Sequence, residues 1–182
     1  MFVFTVLILC LIPATRYYQF DVPLLKFFRG SRQVDPLSLH LAGEFVENNL
    51  GTRQDADGSV TVRMIAEQYL FIPHCVVVPA GVPVHLRITS ADAVHSLVFN
   101  SPVFNSPVFN SPVFNGMDST LEVLPGTISV AQLQFDKAGE YKTKCGEFCG
   151  AGHYAMRSEW KVVPRDQFAG LLAAGGLNCA AQ

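Results

Sequence analysis

The chain has 182 residues, 49% of them hydrophobic and 15% charged, with a formal net charge of −2. That length suits one compact domain with appendages, and the near-neutral balance leaves no basic footprint for nucleic acid, so no nucleic-acid partner is expected. Five cysteines (Cys10, Cys75, Cys145, Cys149, Cys179) are too few and too scattered for a disulfide framework.

The excess of apolar residues begins at the N-terminus, where Met1 to Ala14 carry no charge. A helix of that length reaches roughly 21 Å, short of a bilayer core of about 30 Å. A signal peptide would need a charged start, which is missing. A buried core helix is a second reading. The third, which we adopt, makes residues 1–16 the outer part of a transmembrane helix. Arg16, Lys26, Arg29 and Arg32 follow it and pull against an outward-facing C-terminal side under the positive-inside rule.

Residues 17–58 read as a linker. Within it Asp35 and Pro36 suit the N-cap and first position of a short helix over 36–50, which Gly51 would end. Residues 52–58 form a turn-rich boundary. From Ser59 the texture changes to short strands divided by Pro and Gly. In SVTVRM, Val60, Val62 and Met64 alternate with polar neighbours, and in PVHLRIT Val84, Leu86 and Ile88 alternate with His85 and Arg87. CVVVP, ISVAQLQF, GEYKTK and SEWKVV are further strands, with turns at Pro79–Gly81, Pro125–Gly126 and Ala138–Gly139. This pattern over 59–164 predicts a mainly β fold, a β-sandwich or small Greek-key barrel. Residues 165–182 are a tail, with a small helix over 166–174 and a frayed end.

Residues 96–116 read SLVFN-SPVFN-SPVFN-SPVFN-G, three perfect pentapeptides after a near-copy. The unit is far too short for a solenoid repeat, and each Asn-Ser-Pro is a turn signal. A tandem duplication in a surface loop is the plain reading, since loop lengthening costs little. A sticky contact with a partner subunit is the functional one.

The chemistry is concentrated in Cys145-Gly-Glu-Phe-Cys149-Gly-Ala-Gly-His153-Tyr-Ala-Met156, with His95 upstream. Thiolate, imidazole and thioether together are the ligand set of a copper redox site. Zinc would leave Met156 unused and departs from the usual spacing. A mononuclear blue-copper site would waste one cysteine. A Cys145–Cys149 disulfide would account for neither histidine nor methionine. Two copper ions bridged by both cysteines use every residue.

This motif resembles the binuclear copper (CuA) site of cytochrome c oxidase subunit II. HLAGEFVENNLGT, AEQYLFIPHCVVVPAG, HLRITSADAVHS and LEVLPG also resemble bacterial members with a single-span N-terminus. The resemblance implies a cupredoxin-like domain. It makes Cys145 and Cys149 bridging thiolates, His95 and His153 terminal ligands, and Met156 the weak thioether on the copper held by His95. Glu147 would give its backbone carbonyl to the other copper, and its side chain can reach a magnesium ion at the subunit I boundary. Implied partners are oxidase subunits I and III, a cytochrome c donor and the membrane. The implied location is the bacterial inner membrane, with the copper domain facing the periplasm. Oxygen reduction would lie on subunit I.

Two departures stand out. Removing Ser101–Asn115, fifteen residues, restores the family's His-to-Pro-Gly length, so the repeat is expected as a protruding loop or hairpin. Tyr69 and Phe71 occupy positions where the family often carries tryptophans for electron entry. Asp92, Asp118, Glu122 and Glu140 could steer a basic cytochrome, though solvated loop charges are the plainer reading. Trp160 is expected in the core, His40 and His85 at the surface, Cys75 packed and Cys179 unpartnered. Rival readings are a nitrous oxide reductase copper domain, for whose β-propeller there is no room, a copper-delivery module, and an inactive paralogue.

Overall fold

Among the described residues, alternating and continuous apolar runs fold into ten strands: β1 (Gly51–Gln54), β2 (Val60–Glu67), β3 (Leu70–Ile72), β4 (Cys75–Pro79), β5 (Pro83–Ser90), β6 (His95–Phe99), β7 (Ser119–Val123), β8 (Ser129–Gln134), β9 (Gly139–Cys145) and β10 (Arg157–Val163). A helix, α1 (Arg165–Ala173), follows. The computed structural model describes residues 33–99, 119–175, 177 and 179. The expected membrane segment at 1–16, the linker as far as residue 32 and the repeat at 101–115 lie outside the described residues. Among the described residues, no helix is long and apolar enough to cross a membrane.

The strands form two sheets. In the first the order is β1-β2-β5-β8, with β3 sharing the β1 edge of β2. In the second it is β4-β10-β9-β6-β7. Val60, Val62, Met64, Leu86, Ile88 and Leu133 of the first sheet meet Val76, Val78, Leu97, Phe99, Trp160 and Val162 of the second in one core. The mainly β sandwich expected from the pattern is therefore present. Trp160 is fully buried, as expected, with its ring 5.3 Å from Phe99 and 5.8 Å from Phe135. The edge-on contact with Phe99 suits the positive rims and negative faces of aromatic rings.

The outer face of the first sheet is covered only in part, His85 and Val130 remaining exposed. Residues 33–50 lie across its back, where Leu39, Phe45, Ile65 and Ile128 form a second cluster. Glu44 accepts two hydrogen bonds from Arg87, at 2.5 and 2.7 Å, and lies 3.5 Å from Arg63. One carboxylate of the covering segment thus faces two guanidinium groups on neighbouring strands, and Asp55, 4.0 Å from Arg63, supplies the second negative charge.

The segment is not the single helix expected over 36–50. It is three one-turn 3-10 pieces, Pro36–Ser38, Gly43–Phe45 and Glu47–Asn49. Asp35 does cap the first, accepting from the Leu37 amide at 3.1 Å. Gly43 then takes φ +85°, and Val46 is extended. Either conformation stops a helix from propagating, and the breaks turn Phe45 inward. Gly51, expected to end a helix, instead opens β1, so the supposed turn region over 52–58 is partly strand.

Cys75 and Cys179 form a disulfide, with Cα atoms 5.9 Å apart. This corrects the expectation of an unpartnered Cys179, and Leu177 and Cys179 pack on the core instead of fraying, while residues 180–182 lie outside the described residues. A separation of 104 residues gives no local signal of the pairing. His40 and His85 are surface residues, as expected.

Candidate metal centre

Cys145 ends β9, and Arg157 opens β10. Between them the chain loops outward and is closed at its base by the Cys145 amide, which donates to the Met156 carbonyl at 3.0 Å. The Gly146 amide donates to Ser96 Oγ at 3.1 Å and lies 3.2 Å from the Ser96 carbonyl, fastening the loop to β6. A side chain at Gly146 would collide with Val98. A short turn, His153–Ala155, returns the chain to Met156.

This architecture gathers sulfur and imidazole donors. Cys145 Sγ stands 3.8 Å from His95 Nδ1 and 3.2 Å from the Glu147 carbonyl. Cys149 Sγ stands 3.7 Å from His153 Nδ1 and 3.9 Å from Met156 Sδ. The ligand atoms of His95, Cys145 and Cys149 all lie within 4.8 Å of one another. His95 and Met156 are fully buried, and both cysteines are buried and free. The donor set is soft and without a carboxylate, so it fits copper rather than calcium or magnesium.

Electrostatics prepare the histidine. His95 Nε2 lies 2.8 Å from Asp92 Oδ1. A carboxylate only accepts, so Nε2 carries the proton and Nδ1 offers its lone pair to the thiols. Burial pushes the Asp92 carboxyl up, but hydrogen bonds from His95 and the Gln68 and Ala93 amides outweigh it and hold it below its ordinary value. At Cys149 burial, and after it the Cys145 thiol, push the pKa up to about 11. At neutral pH the Cys149 thiolate therefore forms when a cation takes the proton's place.

Of the residues expected at the centre, His95, Cys145 and Cys149 gather into one set; the Glu147 carbonyl adjoins Cys145, while His153 and Met156 adjoin Cys149. The two expected electron-entry residues part company. Tyr69 is 36% exposed and its ring lies against Gly150 and Gly152, whereas Phe71 is buried in the core. Phe148 and Tyr154 are 77% and 79% exposed beside the ligands, a bare aromatic rim on a small domain. Of the acids considered for steering, Asp92 is engaged with His95, and Glu122 and Glu140 are exposed. Asp118 lies outside the described residues. The structural use of Asp92 was not foreseen. Its place three residues before His95 in a tight turn is the only sequence signal of it.

A family model and individual relatives both match this chain. The model described as cytochrome c oxidase subunit II, periplasmic domain, matches residues 58–163. Curated relatives include cytochrome c oxidase subunit 2 of Thermus thermophilus, 27% identical over 124 residues, which are 68% of this chain and 81% of that protein. The subunit 2 of Branchiostoma floridae is 27% identical over 101 residues, 56% of this chain and 37% of its own length. Among solved structures, the periplasmic domain of cytochrome oxidase subunit II of Bradyrhizobium japonicum aligns with a TM-score of 0.48 at 19% identity, covering 63% of this chain and 91% of that one. A chain of a haem–copper terminal oxidase dimer aligns with a TM-score of 0.48 at 22% identity, covering 87% and 97%.

Proposed function

The chain belongs to the family of cytochrome c oxidase subunit II periplasmic domains, and from that premise we infer that it is the electron-transfer subunit of a haem–copper oxidase, holding two copper ions in a cupredoxin-like sandwich. The observation that carries this reading is the convergence of two free, buried cysteines with two imidazoles and a buried thioether. When bound, a thiolate-bridged copper pair supplies a one-electron redox centre.

Each residue of the site has a definable part. Cys145 and Cys149 would hold the copper ions as thiolates, His95 and His153 would supply imidazole donors, and the buried Met156 would add a weak thioether. The Glu147 carbonyl points at Cys145, while its exposed carboxylate can meet a cation such as magnesium at the subunit I boundary. Asp92 holds the His95 ring in one tautomer, so the ligand does not reorient between oxidation states. The Cys145–Met156 backbone bond keeps the loop at fixed width. Electron entry falls to Tyr69 rather than Phe71, because Tyr69 reaches solvent beside the loop. The exposed rings of Phe148 and Tyr154 offer apolar contact to an oxidase partner. The donor is a cytochrome c, and the copper domain faces the periplasm of a membrane-held complex.

The full chain, reconstituted with copper, tests the reading. Two coppers per chain with one unpaired electron shared equally in the paramagnetic resonance spectrum is the expected result. One copper with a mononuclear spectrum would overturn it.

A further inference from the structure

Every ligand of the centre comes from the second sheet or its loops, yet one turn of the first sheet touches both halves of the site. Gln68 lies between the end of β2 and the start of β3. Its backbone amide donates to Asp92 Oδ2 at 2.7 Å, and the other oxygen of that carboxylate holds His95 Nε2 at 2.8 Å. Its side-chain amide Nε2 donates to the carbonyl of Cys149. A chain of hydrogen bonds thus runs from His95 through Asp92 and Gln68 to Cys149. The turn that carries Asp92 is fastened to the same place, since the Ala91 amide donates to the Ala66 carbonyl at 3.0 Å.

The loop is shaped to admit this turn. Gly150 and Gly152 flank Ala151 between Cys149 and His153. A Cβ at either glycine would overlap the Tyr69 ring, and one at Gly150 would also crowd Gln68 Nε2. The two glycines therefore leave room for the neighbouring turn to close on the ligand loop.

We propose that Gln68 is a positioning residue of the metal centre, clasping the His95 half to the Cys149 half through its two donors. The proposal deepens the reading of the site as a copper centre and rests on it for its function, though the clasp itself is present without metal. Outer partners of metal ligands commonly carry 10–100-fold in affinity. A bond to the Cys149 carbonyl fixes the peptide that aims its sulfur, while the backbone donor steadies the carboxylate that fixes the His95 ring.

The test compares the full-length wild-type chain with Gln68→Ala, which keeps the backbone donor and removes the side-chain bond, and with Gln68→Met, which keeps the length, loses the donor and adds no charge. In the metal-free protein, alkylation of Cys149, read by peptide mass, should run about tenfold faster in both variants, the local opening that loss of one hydrogen bond permits, with a thermal midpoint lowered by no more than that single bond accounts for. In the copper-loaded protein both should release metal to a chelator about tenfold faster, with shifted copper–thiolate absorption bands. Wild-type alkylation rates in both variants would overturn the clasp whatever copper does. A wild-type chain that holds no copper pair would instead bring down the reading of the site, and the alkylation result would still decide the clasp.

Discussion

The strand β6 begins at His95, which is fully buried, and ends at Phe99, after which the chain carries three extra copies of a pentapeptide. The two ends of the β6–β7 hairpin obey different rules. At the His95 end, position depends on contacts among four separate segments: Asp92, Gln68, Ser96 and the 145–156 loop are all hydrogen-bonded to one another or to the ligands. At the Phe99 end, β6 and β7 are already held from His95↔Val123 to Phe99↔Ser119 before the added residues begin. An insertion there lengthens a connection. An insertion at the other end would move a ligand. Tolerance thus follows from which contacts come after the added chain.

The largest effect should come from breaking the ligand end outright. Cys149→Ser removes a sulfur that faces both His153 and Met156. Copper content should fall from two per chain to at most one, and electron delivery by the assembled oxidase by at least about 100-fold, the upper end of what outer partners alone carry. Metal analysis and oxidase turnover check this. Retention of two coppers with a shared electron would mean Cys149 is not a bridge.

The next test moves the repeat's own chemistry into the strand. SLVF at 96–99 and SPVF at 101–104 differ only in Leu97 and Pro102. β6 lies between β9 and β7, and the Ser96 carbonyl faces β9, where it receives the Gly146 amide. Successive residues of a strand turn their polar groups to opposite sides, so the Leu97 amide faces β7. Proline has no donor to give there, and the buried leucine side chain would also be lost. Leu97→Pro should cost about 3–5 kcal/mol, judged from large-to-small core changes, by denaturant unfolding.

These contrasts show what was open to sequence reading. The ligand loop was legible because five of its six site residues lie within twelve positions and the donor types admit few metals. The strands were legible because alternation marks half-buried surfaces. The covering segment was not. Helix caps at Asp35 and Pro36 are real, but Gly43 and Val46 adopt their conformations to seat Phe45 against Ile65, and a tertiary contact decided the local one. Asp92 looked like a surface acid, since nothing in its neighbourhood of the chain announces that its oxygens reach His95 and Gln68. The Cys75–Cys179 pair was hidden by distance along the chain.

That disulfide offers a third test, remote from the ligands. Cys179→Ser opens a loop spanning 104 residues, for which a loss of about 2–4 kcal/mol is typical. Because Cys75 sits on the outer strand β4, copper content and spectrum should be unchanged. A spectral change would tie the tail to the centre and weaken the division of the molecule drawn above.

The smallest expected effect is the sharpest test of that division. Deleting Ser101–Asn115 shortens the connection between Phe99 and Ser119 from nineteen residues to four. Closing a shorter loop costs less entropy, so two halvings of length should stabilise the protein by about 1 kcal/mol. Copper stoichiometry, spectrum and potential should stay as in the full chain, because His95 lies at the far end of the ladder, four residues before Phe99. Loss of the second copper on deletion would show that the repeat supports the His95 end after all. Unchanged copper with the small gain in unfolding free energy would show that the register of β6, set by its pairing with β7 and β9, insulates the ligand from whatever length the hairpin acquires.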